Sequence, residues 1–128
     1  MELQTHLSID ESVCGCVVKL EEGFAEVILH TDIQMVADDR DLVHGGFLFG
    51  AADYAAMAAV NDPNVVLGSA QVRFTAPVKK GDVVRFYARV VAGKGKKQHV
   101  EVKGSVGECS VFEGDFVAFV LEKHVLDI

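Results

Sequence analysis

Apolar positions along the chain keep the period of strands on both sides of a single helix. Residues 13–20 and 24–30 are rich in β-branched side chains, and Glu21-Glu22-Gly23 between them is a turn signal, so the pair predicts a hairpin. Residues 31–41 read as a loop, acidic at Asp38, Asp39 and Asp41, with one helical turn at Ile33-Gln34-Met35-Val36. Residues 47–60 are apolar whatever face is considered, and Asn61-Asp62-Pro63-Asn64 ends them, because proline cannot extend a helical ladder. After that the period is two. Val72 and Phe74 alternate with Arg73 and Thr75, and Val84, Phe86, Ala88 and Val90 alternate with Arg85, Tyr87, Arg89 and Val91. Val100, Val102 and Val106 alternate with Glu101, Lys103 and Ser105, and residues 109–120 close the pattern with Phe112, Phe116 and Phe119. Turns at residues 77–82 and 93–96 join these runs into an antiparallel meander. The expected fold is α+β in the order β-β-α-β-β-β-β: a long antiparallel sheet laid around one apolar helix, preceded by an arm or short helix over residues 1–12.

Composition narrows the class. A chain of 128 residues has room for one domain with one core. The net charge of −7 argues against a general nucleic-acid binder, which needs a basic footprint. No apolar run is long enough for a membrane span, and residues 1–10 lack a basic-then-apolar leader, so a cytoplasmic protein without membrane partners is expected. Three cysteines in a reducing compartment do not suggest a disulfide framework. Cys14 and Cys16 flank Gly15 in what reads as a strand, and no second pair stands at zinc-type spacing, so no metal site is expected.

The chemistry concentrates in Val43-His44-Gly45-Gly46-Phe47-Leu48-Phe49-Gly50-Ala51-Ala52-Asp53-Tyr54. Asp53 is the one ionisable group other than a tyrosine between residues 47 and 60. A carboxylate in an apolar helix is costly unless it is bound or does chemistry, and its setting raises its pKa toward that of a general base. The first turn of a helix leaves backbone N–H groups unpaired in a positive field, and Gly45 and Gly46 let a ligand oxygen approach those amides. That is how an oxyanion is held in acyl transfer. Asp53 lies eight residues past Gly45, roughly 12 Å along a helix. One chain cannot set both on one carbonyl carbon, whereas two antiparallel copies about a two-fold axis could.

His44-Gly45-Gly46 with Asp53 nine positions after the histidine, in an Ala-rich helix followed by a four-stranded meander, resembles the hotdog-fold acyl-CoA thioesterases, nearest the phenylacetate-pathway branch. The likeness covers roughly residues 13–123, including the Asn61 region and the Ala76-Pro77…Gly81-Asp82 turn. It implies a hotdog fold, homodimers often paired into tetramers, and hydrolysis of an acyl-CoA thioester, with coenzyme A present only as part of the substrate. It further implies that the Gly45 amide polarises the carbonyl, that Asp53 of the facing subunit is general base or nucleophile, and that His44 shapes the turn near the sulfur. The branch usually carries an asparagine six residues before the histidine; Asp38 stands there, and the nearest amide side chain is Gln34. Ser69, or less readily Thr75, is the candidate support for Asp53. Phe47, Phe49, Tyr54 and Met57 are candidates for the acyl lining. Lys94, Lys96 and Lys97, with Arg73 and Arg89, are candidates for the coenzyme A phosphates, against the alternative of a solvated turn.

Plainer readings stand beside these. His44 can simply cap the helix, Asp53 can be a structural carboxylate accepting backbone N–H bonds, and Met35 and Met57 can be packing. His6, His30, His99 and His124 have no ligand spacing. Two other functions compete with hydrolysis: a binding module that holds acyl-CoA without turnover, as a sensor or carrier, and a hotdog dehydratase or hydratase. No DNA-binding segment lies within these residues, so a stand-alone repressor is not expected.

Overall fold

The computed structural model describes residues 1–128. The chain forms a short helix α1 (Glu11–Cys14), strands β1 (Cys16–Glu21) and β2 (Phe24–His30), a 3-10 turn (Ile33–Met35) and the long helix α2 (Gly45–Val60). Strands β3 (Val65–Phe74), β4 (Val83–Lys94), β5 (Lys97–Val106) and β6 (Cys109–Val120) follow, with a 3-10 turn (Val125–Asp127) at the end. All strands pair antiparallel in one sheet of order β1-β2-β4-β5-β6-β3. This is the hotdog arrangement, with α2 lying chiefly across β2, β4 and β5.

Alternation decides what meets the helix. Val84, Phe86 and Ala88 on β4 are fully buried, while Arg85, Tyr87 and Arg89 between them face solvent. Val27, Leu29, Val100, Val102, Phe112 and Phe116 complete the sheet's inner layer. Alanines 51, 52, 55, 56, 58 and 59 of α2 pack on it and are buried. Small residues on the helix and large ones on the sheet let the two surfaces interdigitate at short range.

Two details depart from the pattern-based expectation, and the late alternation of β3 finds its cause. The first strand begins at Cys16, not at residue 13: Asp10 caps α1 by accepting from the Ser12 N–H, and Cys14 ends that helix. Gly15 follows at φ +88°, where a Cβ would strike Val27 and the Ile28 carbonyl, so Cys14 and Cys16 lie in different elements. β3 alternates cleanly only in its second half because its pairing with β6 shifts register between Leu67 and Ser69, where the Phe119 ring fills the space beside Gly68. β4 runs on through Lys94, leaving a tight turn at Gly95-Lys96.

The arm before α1 straps the C-terminal end of α2. Asn61, left-handed at φ 54°, caps the helix and bonds the arm twice: its Oδ1 accepts from Gln4 N–H at 2.7 Å and its Nδ2 donates to Glu2 O at 3.0 Å. Thr5 is buried there, and His6 stacks on Tyr54.

Candidate functional site

His44 begins α2 as its N-cap, with extended backbone and its Nδ1 accepting the Gly46 N–H at 2.8 Å. The Phe47 N–H is taken by the His44 carbonyl. The Gly45 N–H donates to no group in the chain, so one amide of the first turn remains available. The expectation of two open amides is therefore corrected: Gly46 spends its own on the cap. An imidazole that accepts at Nδ1 carries its proton on Nε2, which leaves an exposed N–H donor beside the turn.

The Gly45 amide opens onto a cavity of about 430 Å³ lined by Leu42, Val43, Leu48, Phe74, Thr75 and Pro77 among others. A Cβ on Gly45 would stand 3.2 Å from the Phe74 ring. Phe74 packs edge-on against Phe112, yet 50% of it is exposed, because β3 is the sheet edge and nothing in the chain covers its flank.

Asp53 lies two turns further along α2. Its Oδ1 is buried and has no hydrogen-bond partner. Burial pushes its carboxyl up to about 6. A structural carboxylate would gather N–H donors, and this one gathers none. The Cys14 thiol is pushed up by burial and then by the Asp10 and Asp53 carboxylates. Gly46, Gly50 and Asp53 recur at steps of four and three, so they share the one half-open face of the helix.

The other candidates are distributed unevenly. Phe47 is half-buried and meets the His44 ring edge-on; Phe49 is half-buried and stacks on Phe116 at 5.7 Å. Met57 is fully buried at 0% exposure, in keeping with the packing reading, and every residue of α2 from Tyr54 to Ala59 is buried with it. Tyr54, buried against His6, belongs to that same packing. Asp38 organises its own loop, its Oδ1 accepting from the Arg40 and Leu42 N–H groups. Gln34 is bonded to Asp32. Ser69 is exposed on the edge strand, and Thr75 bonds Ser110 rather than Asp53.

The cations that are candidates for the coenzyme A phosphates are spread over the subunit. Arg73 pairs with Glu113 on the sheet face opposite the helix, since Phe74 next to it faces α2. Arg89 covers the Phe24 ring on that outer face. Lys94, Lys96 and Lys97 surround the β4–β5 turn, where Lys97 pairs with Phe119 and Lys96 with Glu122. Phe119 opposes Val66, eight residues before Phe74 on β3, so these lysines are roughly 26 Å of strand away from the Gly45 turn of the same chain. Phe74 is the site residue that sequence reasoning missed. Its alternation with Val72 placed it inward, but only the sheet order shows an inward residue at an uncovered edge beside Gly45.

No three His, Cys, Asp or Glu side chains cluster to hold a metal ion, and no helix is long and apolar enough to cross a membrane.

Comparison with known proteins gives the chain a family and a fold. The thioesterase superfamily pattern matches residues 41–112, from the loop before His44 to β6. A methylthioribose-1-phosphate isomerase of Aquifex aeolicus is 54% identical over 121 residues, which are 94% of this chain and 26% of that protein. The transcription factor FapR of Bacillus velezensis is 38% identical over 113 residues, 86% of this chain and 60% of that protein. The crystal structure of the uncharacterised protein PH1136 from Pyrococcus horikoshii superposes with a TM-score of 0.98 at 52% identity, covering 99% of this chain and 98% of that one. The chain thus spans about a quarter of the isomerase and less than two thirds of FapR. By the pattern it matches and the fold it adopts, this chain belongs to the thioesterase superfamily.

Proposed function

We propose that the chain hydrolyses an acyl-CoA thioester in sites shared by two subunits. What supports this most is a pair of unsatisfied groups on one helix: the Gly45 N–H, which donates to nothing, and the Asp53 carboxylate, which accepts nothing. Eight residues of helix keep them roughly 12 Å apart, so each needs its counterpart on an antiparallel copy. In that pairing the Gly45 N–H of one subunit donates to the thioester oxygen, with the helix dipole adding positive field as the oxyanion forms. The partner's Asp53 takes a proton from water as the water oxygen attacks the carbonyl carbon. The carbon–sulfur bond then breaks, and the His44 Nε2–H faces the departing thiolate. Attack by the carboxylate itself, giving an anhydride that water opens, uses the same placement. A carboxyl at about 6 is ionised at neutral pH, so kcat/KM should rise with pH through that value.

Two variants test the shared site. Asp53→Ala should release coenzyme A thiol at least a hundredfold more slowly than wild type, as expected when a general base is lost. Gly45→Pro deletes the free N–H at the first helical position, where proline is well tolerated, and should lose a similar factor. Mixing the two under conditions that exchange subunits should restore about a quarter of wild-type activity, because half the dimers then hold one intact site of two. Failure of the mixture to regain activity while each variant still dimerises would overturn the shared arrangement. Undiminished turnover by Asp53→Ala would overturn the chemistry.

A second function is favoured by a separate observation. The similarity to FapR, a transcription factor, and the engagement of Asp38 in its own loop suit a module that binds acyl-CoA without turnover. Binding of a thioether analogue with no thiol release from the matching thioester would select it. The match to the isomerase covers only 26% of that protein, so its named chemistry is not carried to this chain.

A further inference from the structure

Gly50 leaves open space beside it in its own subunit. It lies mid-helix, where glycine is less favourable than alanine. A Cβ built on it meets nothing within 4 Å, so alanine would fit without a clash. The alanines that follow it on α2 are buried by the sheet, and Phe49 beside it turns back onto Phe116. The space beside Gly50 is thus unfilled by its own chain and free for a second copy. An antiparallel two-fold pairing that sets Gly45 against Asp53 of the partner subunit has its axis midway between those positions, at residue 49. Phe49, at that axis, faces the sheet, Leu48 before it is buried, and Gly50 after it shares the open face with Gly46 and Asp53.

We infer that α2 of one copy crosses α2 of a second copy at Gly50, and that the absent side chain sets the spacing at which the Gly45 amide meets the opposing Asp53. Helices in contact lie 8–10 Å apart depending on the side chains between them, and a glycine at the crossing permits the near end of that range. Spacing matters because a displacement of about 1 Å at a reacting centre costs on the order of a hundredfold in rate. Gly50 is thus a positioning residue: it touches no reacting atom and acts through the distance between two that do. The inference rests on the shared site proposed above, and its test separates the two.

The first measurement is cross-linking, which needs no activity. In a chain carrying Cys14→Ser, Cys16→Ser and Cys109→Ser, Gly50→Cys should form a disulfide-linked dimer on mild oxidation, because a residue beside a two-fold axis meets its own copy within disulfide reach. Glu108→Cys, in the exposed β5–β6 turn, should not. The second is kinetic: Gly50→Ala should melt no lower than wild type and remain a dimer. Its kcat should fall at least tenfold with KM within about threefold, and equally for short and long acyl groups. Absence of the cross-link with wild-type activity intact would overturn the crossing and leave the hydrolase standing. A cross-link in a protein that releases no thiol would do the reverse, keeping the crossing and sinking hydrolysis. A loss in Gly50→Ala that grows with acyl length would assign Gly50 to the acyl pocket and overturn the spacing role.

Discussion

The two halves of α2 are both mostly apolar and have opposite fates. From Tyr54 to Ala59 every residue is buried, the end is closed by Asn61, and the arm is bonded over it through Glu2 and Gln4. From Gly45 to Asp53 one face is half-open, one amide has no acceptor and one carboxylate has no donor. The C-terminal half satisfies its polar groups within the chain and so contributes stability. The N-terminal half leaves polar groups unsatisfied where their field and burial can act on a substrate, which is how a rigid helix comes to carry a site. The difference teaches that apolarity all round a helix marks burial but does not say what buries it. Sheet and arm cover one half; a second copy is the covering proposed for the other.

The contrast can be tested by exchanging the kinds of damage. Met57→Ala should cost about 2–5 kcal/mol of stability, read as a lower denaturant midpoint, since it empties core space at full burial. Activity per folded molecule should stay within about twofold of wild type, and a large loss of kcat would return Met57 to the site. Asp53→Asn should do the opposite, abolishing turnover while stabilising the fold at pH 8 by about 1–3 kcal/mol. The sign follows from the raised carboxyl. A group at about 6 in the folded state and near its ordinary value unfolded holds its proton more tightly when folded, so stability present below about pH 4 is lost as pH rises through about 6. The gain from asparagine should accordingly vanish by pH 4 in thermal melts, and an equal gain at both pH values would show that the burial of charge is not its source. The smallest effect belongs to His44→Ala, which removes the acceptor of the Gly46 N–H and should cost about 1 kcal/mol in thermal or chemical unfolding. No change in stability would mean that the histidine serves the ligand alone.

Much of the fold was legible in the chain. Strict alternation such as Val84, Phe86 and Ala88 against Arg85, Tyr87 and Arg89 needs only the two-residue period of a strand to place each side chain, and all of these fall on the faces expected. The helix and its stops were equally plain, since Asn61 and Pro63 act through local backbone geometry. Cys14 and Cys16 were misread as one strand because α1 is a single turn, too short for a period, and its boundary depends on Gly15 fitting against Val27 and Ile28. Arg73 and Lys97 are phosphate candidates by charge alone, and only the sheet shows which face and which end each occupies.

By itself, then, the sequence determined the order of elements, the inward face of the long strands, and the isolation of Asp53 in an apolar helix behind a glycine turn. These follow from short-range rules: period, turn chemistry and the cost of burying charge. Tertiary structure alone decided that Gly46 is spent on its cap while Gly45 is free, that Met57 is core, that Phe74 stands at an uncovered edge, and that Gly50 faces open space. Each of those depends on contacts between residues distant along the chain or on the direction of a single hydrogen bond, and no periodicity encodes either.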